Sequence, residues 1–220
     1  RGIKTSELDD YCRGRLEKGA SKASVTMERT YIKAVVSSAV NDGLLDNRVL
    51  QNFKNVKRVM TRGENARDRI ISVDEYLSIL AVSSAHVAAM TTIAFCCGMR
   101  KGEIINLQWK EVDLEKGCFR LPAERTKEKK AKIIPFNRHV YKILKSLPRP
   151  IHHDYVIMNA KGNHLTQDGA QKVFVQACKD AQVAYGRNAT GGASFHDMRG
   201  SWKMNALEAG IDKVYRDVIL

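Results

Sequence analysis

"AFCCGMRKGEIINLQWKEVDL", Ala94 to Leu114, changes character several times within one short stretch. An apolar run beginning near His86 ends at the adjacent Cys96 and Cys97 and is stopped by Gly98. That pattern reads as a buried helix closed by a C-terminal glycine. Arg100 follows at once, with Glu103 three positions later, at what reads as the mouth of a second helix. After Trp109 the periodicity changes: "GCFRL" (117–121) and "AKIIPF" (131–136) read as short strands around a charged turn, "ERTKEKK" (124–130). A buried helix, an arginine at a loop-to-helix junction and a small antiparallel sheet follow one another directly.

Working outward, helices dominate. Upstream, Ser72 and Glu75 have capping-box spacing before Tyr76, Leu77 and Leu80. Before them runs "NFKNVKRVMTRGENARDRI" (52–70), rich in Lys and Arg and with little apolar periodicity after Val59. The first stretch of the chain reads as short helices, with Ser6 and Asp9 as a capping pair and Ile32, Val35, Val36, Ala39 and Val40 on one face. That helix is expected to stop at Gly43. Downstream, helices are predicted from Asn137 (Val140, Ile143, Leu144 and Leu147 inward), over 167–184, over 196–209 and over 212–220. The predicted fold class is mainly α with a small antiparallel β-sheet: a helical domain over 1–57, a basic linker over 58–69 and a larger α+β domain over 70–220.

Composition narrows the function. The chain has 220 residues and a formal net charge of +13 at pH 7. Such an excess attracts polyanions, nucleic acid first among them. No apolar run approaches bilayer length, and the N-terminal residues lack the pattern of a signal peptide. The cysteines (Cys12, Cys96, Cys97, Cys118, Cys178) show no CxxC spacing and read as reduced thiols, which points to the cytoplasm.

Several positions carry candidate chemistry, and each, taken singly, has a structural role as its ordinary alternative. His196 and Arg199 lie three apart in "SFHDMRG" (194–200), so they share a helical face and can converge on one anion. Arg100 beside Glu103 is either a surface ion pair or a guanidinium held ready to grip phosphate in a bidentate manner. Lys127, at the tip of the charged hairpin with Lys129, Lys130 and Lys132 nearby, is either solvated or a proton donor. "IHHD" (151–154) offers His152, His153 and Asp154 to a metal-dependent nuclease, but neighbouring histidines on a strand face opposite ways.

The order Arg-x-x-Glu, Lys on a β-turn, His-x-x-Arg resembles the active site of the tyrosine recombinases, the phage integrase family. "AFCCGMRKGEIINLQWKEVDL" is similar to the family's first arginine motif, "RTKEKKAKIIPF" (125–136) to its lysine hairpin and "FHDMRGSWKMNALEAGIDKVYRDVIL" (195–220) to its second arginine motif. "DYVIMNAKGNHLTQDGAQKVFVQACKDAQV" (154–183) resembles the connecting segment. "ASKASVTMERTYIKAVVSSAVNDGLLDNRV" (20–49) resembles the helical core-binding domain, with Arg48 where proline is usual. The resemblance implies a DNA breaking-rejoining fold, with residues 1–57 as core-binding domain and 70–220 as catalytic domain. It implies site-specific DNA recombination through a covalent 3′-phosphotyrosine, without metal or other cofactor. Arg100 and Arg199 would bind the scissile phosphate, Lys127 would be the general acid, His196 would assist proton transfer and Glu103 would support the site. The implied partners are double-stranded DNA and three further copies of the chain on paired sites, with accessory DNA-bending proteins allowed. A non-catalytic DNA-binding protein and a type IB topoisomerase are the alternatives.

One element of the family pattern is missing. The family's tyrosine follows a Leu-Gly-His-like triplet after the second arginine motif, and Leu220 falls where that leucine would be. The expectation is therefore a chain incomplete at both ends, with its nucleophile beyond residue 220 and no cleavage by these residues alone. Tyr215 precedes the triplet and reads as a packing residue, on a face with Val214, Val218 and Ile219.

Overall fold

A computed structural model describes residues 3–61, 63–126 and 128–219. The backbone gathers into two compact units, Arg1–Arg67 and Asp68–Leu220.

The first unit is three helices: α1 (Thr5–Glu17), α2 (Lys22–Asn41) and α3 (Arg48–Asn55). Leu8, Val36, Val49, Phe53 and Val56 form its core, with Ile32, Val40 and Leu50 packed against them. The expected face of α2 is therefore correct at Ile32, Val36 and Val40. Val35, one step round the helix from Val36, is 70% exposed. The cap of α1 lies earlier than Ser6 and Asp9: Lys4 is the N-cap residue and its amide donates to the Glu7 carboxylate at 2.8 Å. At the start of α3 the Arg48 amide donates to Asp46 Oδ1 at 2.7 Å. Proline at a first helical position merely removes an orphan N–H, and here Asp46 satisfies it instead. Glu28 draws α1 and α2 together, accepting from Arg15 Nη2 at 2.6 Å and from the Tyr11 hydroxyl at 2.9 Å. Within the linker expected over 58–69, Thr61 donates its amide to Glu64, and Glu64 also pairs with Lys22 of α2.

The second unit is built around α5 (Ala85–Cys97), in which Ala89, Met90, Thr91 and Ile93 have no exposed surface. Against it pack α4 (Val73–Ala81), α6 (Lys101–Ile105), α7 (Arg138–Ser146), α8 (Gln167–Asp180) and α9 (Asp197–Glu208). A helix buried on all sides carries no amphipathic stripe, and the sequence of α5 shows none. α4 starts as expected: the Ser72 hydroxyl accepts from the Glu75 amide at 3.1 Å, and Glu75 Oε2 accepts from the Ser72 amide at 2.9 Å. α8 is shorter than predicted, ending at Asp180 because Gln182 adopts a left-handed φ of 57°.

The sheet is antiparallel in the order β1 (Val112–Asp113), β2 (Cys118–Leu121), β3 (Lys132–Pro135). Phe119 pairs with Ile134 and Leu121 with Lys132. Phe119 and Ile134 face the core, while Ile133 points to solvent. Pro135 is tolerated because β3 is an edge strand. The last helix, α10 (Lys213–Ile219), corrects one expectation: Tyr215 and Val214 are each 68% exposed, so Tyr215 does not pack along a buried face. Ile219 does reach the core, and the Val218 side chain lies outside the described residues.

Candidate active site

Gly98 ends α5 with φ 63°, a left-handed conformation that costs an L side chain about 1–2 kcal/mol. It is crowded as well: a Cβ there would lie 2.7 Å from the Trp202 ring of α9. Only glycine fits both conditions. The turn it makes sends the chain directly into Arg100, which sits at the N-cap of α6 with extended backbone (φ −71°, ψ 146°).

Glu103 joins Arg100 to the helix. Its Oε2 accepts the Arg100 amide at 2.9 Å and its Oε1 accepts Arg100 Nη1 at 3.0 Å. The Glu103 side chain is 5% exposed, and a carboxylate that buried needs both oxygens satisfied. One residue thus caps α6 and aims the guanidinium. A second carboxylate meets the same fork: Arg100 Nη2 donates to Glu128 Oε1 at 2.6 Å and Nη1 to Glu128 Oε2 at 3.2 Å. Lys132 Nζ also holds Glu128, at Oε2, at 3.1 Å. The bonds from Lys132 first, and from Arg100 second, lower the Glu128 carboxyl to about 2. Burial works against the Arg100 charge, but its bonds to Glu128 and Glu103 outweigh it and raise the guanidinium above its ordinary value.

Arg199 comes from the first turn of α9. Its Nη1 donates to the Gly98 carbonyl, so the glycine that positions Arg100 also positions Arg199. Burial, and then the positive charge of Arg100, lower Arg199 to about 10. An arginine depressed in this way is held partly dry beside a like charge, an arrangement that favours an incoming anion. His196 is the N-cap of the same helix and is exposed. Asp197 behind it is buried and accepts the Ser194 amide at 2.8 Å, fixing the entry to α9. The buried Ser201 hydroxyl donates to the Asp197 carbonyl at 3.0 Å and accepts the Ile71 amide at 2.7 Å.

Arg100, His196 and Arg199 line one cleft of about 300 Å³ together with Lys101, Gln171 and Arg187. Glu103 reaches it only through its bonds to Arg100. Lys127 lies outside the described residues. Arg187 was missed in the sequence, as were Lys101 and Glu128. Arg187 sits on the loop between α8 and α9, which is tightly built. Gly186 and Ala193 bond through backbone (2.9 Å), Arg69 Nε donates to the Gly191 carbonyl at 2.8 Å, and a Cβ on Gly192 would strike the Gly186 carbonyl at 2.0 Å. The signal available in the sequence was the pair Gly191–Gly192 after a lone arginine, and it was too weak to read alone. No tyrosine is among the residues lining the cleft.

The "IHHD" segment is a loop rather than the strand expected of it. His153 Nε2 bonds the Gly162 carbonyl at 2.9 Å and Asp154 Oδ2 accepts the Lys110 amide at 3.3 Å, so both tie this loop to neighbouring backbone. Among the described residues no three His, Cys, Asp or Glu side chains are grouped so as to hold a metal ion, and no helix is long and apolar enough to cross a membrane.

Residues 64–215 match the model of the phage integrase family. The chain is 23% identical to the ICEBs1 integrase of Bacillus subtilis, covering 94% of this chain and 60% of that one. It is 24% identical to the integrase of Salmonella phage P22, covering 88% and 49%. It therefore spans about half to three fifths of these relatives. Among solved structures, a lambda integrase tetramer bound to a Holliday junction superposes with a TM-score of 0.77 at 17% identity, over 99% of this chain and 63% of that one. The Tn1549 transposon integrase in complex with circular intermediate DNA gives 0.67 at 18% identity, over 99% and 76%. Both likenesses are of fold.

Proposed function

The chain belongs to the phage integrase family, and on that premise we propose that it serves site-specific recombination of double-stranded DNA, its cleft receiving the scissile phosphodiester. The observation that carries this reading is the convergence of Arg100, Arg199 and His196, from two separate motifs, on one cleft.

Exchange at a phosphodiester passes through a crowded phosphorus with extra negative charge on its non-bridging oxygens. Preorganised donors aimed at those oxygens lower the barrier most, and two arginines supply them. In the proposed reaction a tyrosine hydroxyl gives up its proton as its oxygen bonds to phosphorus, the bond to the 5′-oxygen breaks, and the departing oxygen takes a proton. Lys127 is assigned that proton on family resemblance alone, with His196 assisting transfer within the cleft. Glu103 positions Arg100. The exposed Tyr215 is not proposed as the nucleophile. The bond energy stays in the protein–DNA phosphoester, so the reverse attack by a 5′-hydroxyl reseals the strand. Paired sites and four copies of the chain complete the proposal, and the lambda integrase likeness to a tetramer on a Holliday junction supports that assembly.

The test uses the full-length protein and a nicked suicide substrate, with the adduct followed by denaturing electrophoresis. Adduct formation should persist in EDTA and should fall by about 10²–10³ in Arg199→Ala or Arg100→Ala. Replacing the 5′-bridging oxygen by sulfur, a better leaving group, should rescue Lys127→Ala and not Arg199→Ala. Equal rescue of both would overturn the assignment of roles. Strict dependence on a divalent cation would favour a nuclease instead.

A further inference from the structure

The fork of Arg100 is already occupied. Glu103 accounts for one bond to Nη1 and is explained by the cap of α6. Glu128 is not explained that way: it belongs to the turn between β2 and β3 and reaches both Nη atoms, at 2.6 and 3.2 Å. Two parallel N–H···O bonds to a planar carboxylate are also how a guanidinium receives two oxygens of a phosphate. A phosphate arriving at the same two nitrogens would be forced against a carboxylate, anion upon anion.

We propose that Glu128 is a resident anion on the Arg100 fork, a positioning residue that keeps this arginine aimed into the cleft until a DNA phosphate displaces it. This rests on the reading of Arg100 as a phosphate ligand. The displaced carboxylate is not stranded, because Lys132 Nζ already holds Glu128 Oε2 at 3.1 Å and can keep it. The side chain of Glu128 is 38% exposed and that of Lys132 only 8%, so the carboxylate has solvent to move into while the ammonium stays as its anchor. The cost of displacement is set against every binding event, so the native cleft holds phosphate less tightly than its charge alone would allow.

The experiment compares Glu128→Gln and Glu128→Ala with wild type in the full chain. Inorganic phosphate is titrated against arginine guanidinium NMR signals, and duplex DNA is titrated by fluorescence anisotropy at one fixed salt concentration. Glu115→Gln, a matching charge change at an exposed position outside the cleft, is the control. Both Glu128 variants should bind phosphate and DNA tighter, on the order of two- to fivefold, as expected for a partly exposed ion pair. The gain should be absent in Glu115→Gln and should vanish when Arg100→Ala is added. Affinities at or below wild type in both Glu128 variants, with thermal unfolding unchanged, would overturn the proposal. So would a gain that survives Arg100→Ala or is matched by Glu115→Gln, since that would be general charge alone. Arg100→Ala by itself separates the two levels: if it weakens binding while the Glu128 variants gain nothing, this inference fails and the phosphate reading stands. If it leaves binding unchanged, the phosphate reading fails and takes this inference with it.

Discussion

Arg187 enters the cleft from a loop that neither arginine motif contains, and the glycines around it leave that loop little choice of path. Arg187→Ala should weaken binding to duplex DNA and reduce the slope of log K against log salt by about one, the mark of one lost phosphate contact. An unchanged slope in anisotropy titrations would place Arg187 outside the DNA contact. Gly98 matters differently. Gly98→Ala adds a methyl group to a left-handed residue and drives it into the Trp202 ring, so it should cost more than the about 1–2 kcal/mol of the backbone effect alone. Shrinking the ring with Trp202→Leu in the Gly98→Ala background should return part of the loss in denaturant unfolding. A double variant no better than the single one would show that backbone conformation, and not the ring, dominates.

Helix by helix, what was legible in the sequence was local. Ser72 with Glu75, Gly43 and Gly98 each announce a helix end through contacts a few residues long, and the structure has ends there. Long-range partners carry no such signal. The salt link from Arg100 to Glu128 crosses from α6 to the β2–β3 turn, and no spacing rule connects those positions. Lys4 caps α1 although its side chain is a poor cap, because Glu7 supplies the acceptor from within the helix; Ser6 and Asp9 looked better and lie inside the first turns. Tyr215 misled for a related reason: α10 is short, and its apolar positions do not all meet a partner. Of the candidate site, the arginine and histidine positions could be read, whereas Arg187 depends on how one loop folds back. The caps give a test at this scale. Ser72→Ala should cost about 1 kcal/mol of stability. In the first unit, Phe53→Ala, which empties a fully buried site, should cost about 3–5 kcal/mol. Thermal or urea unfolding that ranks them the other way would contradict the packing described here.

For the molecule as a whole, charge governs behaviour in solution. With +13 spread along the chain, DNA affinity should fall steeply as salt rises, with a log–log slope of several units. Acid should unmask a second effect. Glu28, Glu64 and Glu128 are each lowered to about 2, chiefly by bonds from Arg15, Lys22 and Lys132 respectively. A carboxylate depressed on folding adds stability that is complete above its ordinary value near 4.5 and is lost as pH falls towards 2. These pairs are at least partly open to solvent, so each effect is small, but Glu28→Gln should slightly lower the neutral plateau of a stability-against-pH curve and leave its acid end unchanged, which flattens the acid limb. The burial of α5 has a consequence of another kind. Its partners come from both halves of the second unit, α4, α6 and α7 before the exposed loop at Ile151, which is 93% accessible, and α8 and α9 after it. A chain opened at that loop would leave α5 half-naked in one piece and its cover in the other. Neither piece has a complete core, yet each presents the surface the other lacks. Supplied from separate genes, the two should assemble only when both are made, so that a single break turns the molecule into a coincidence detector.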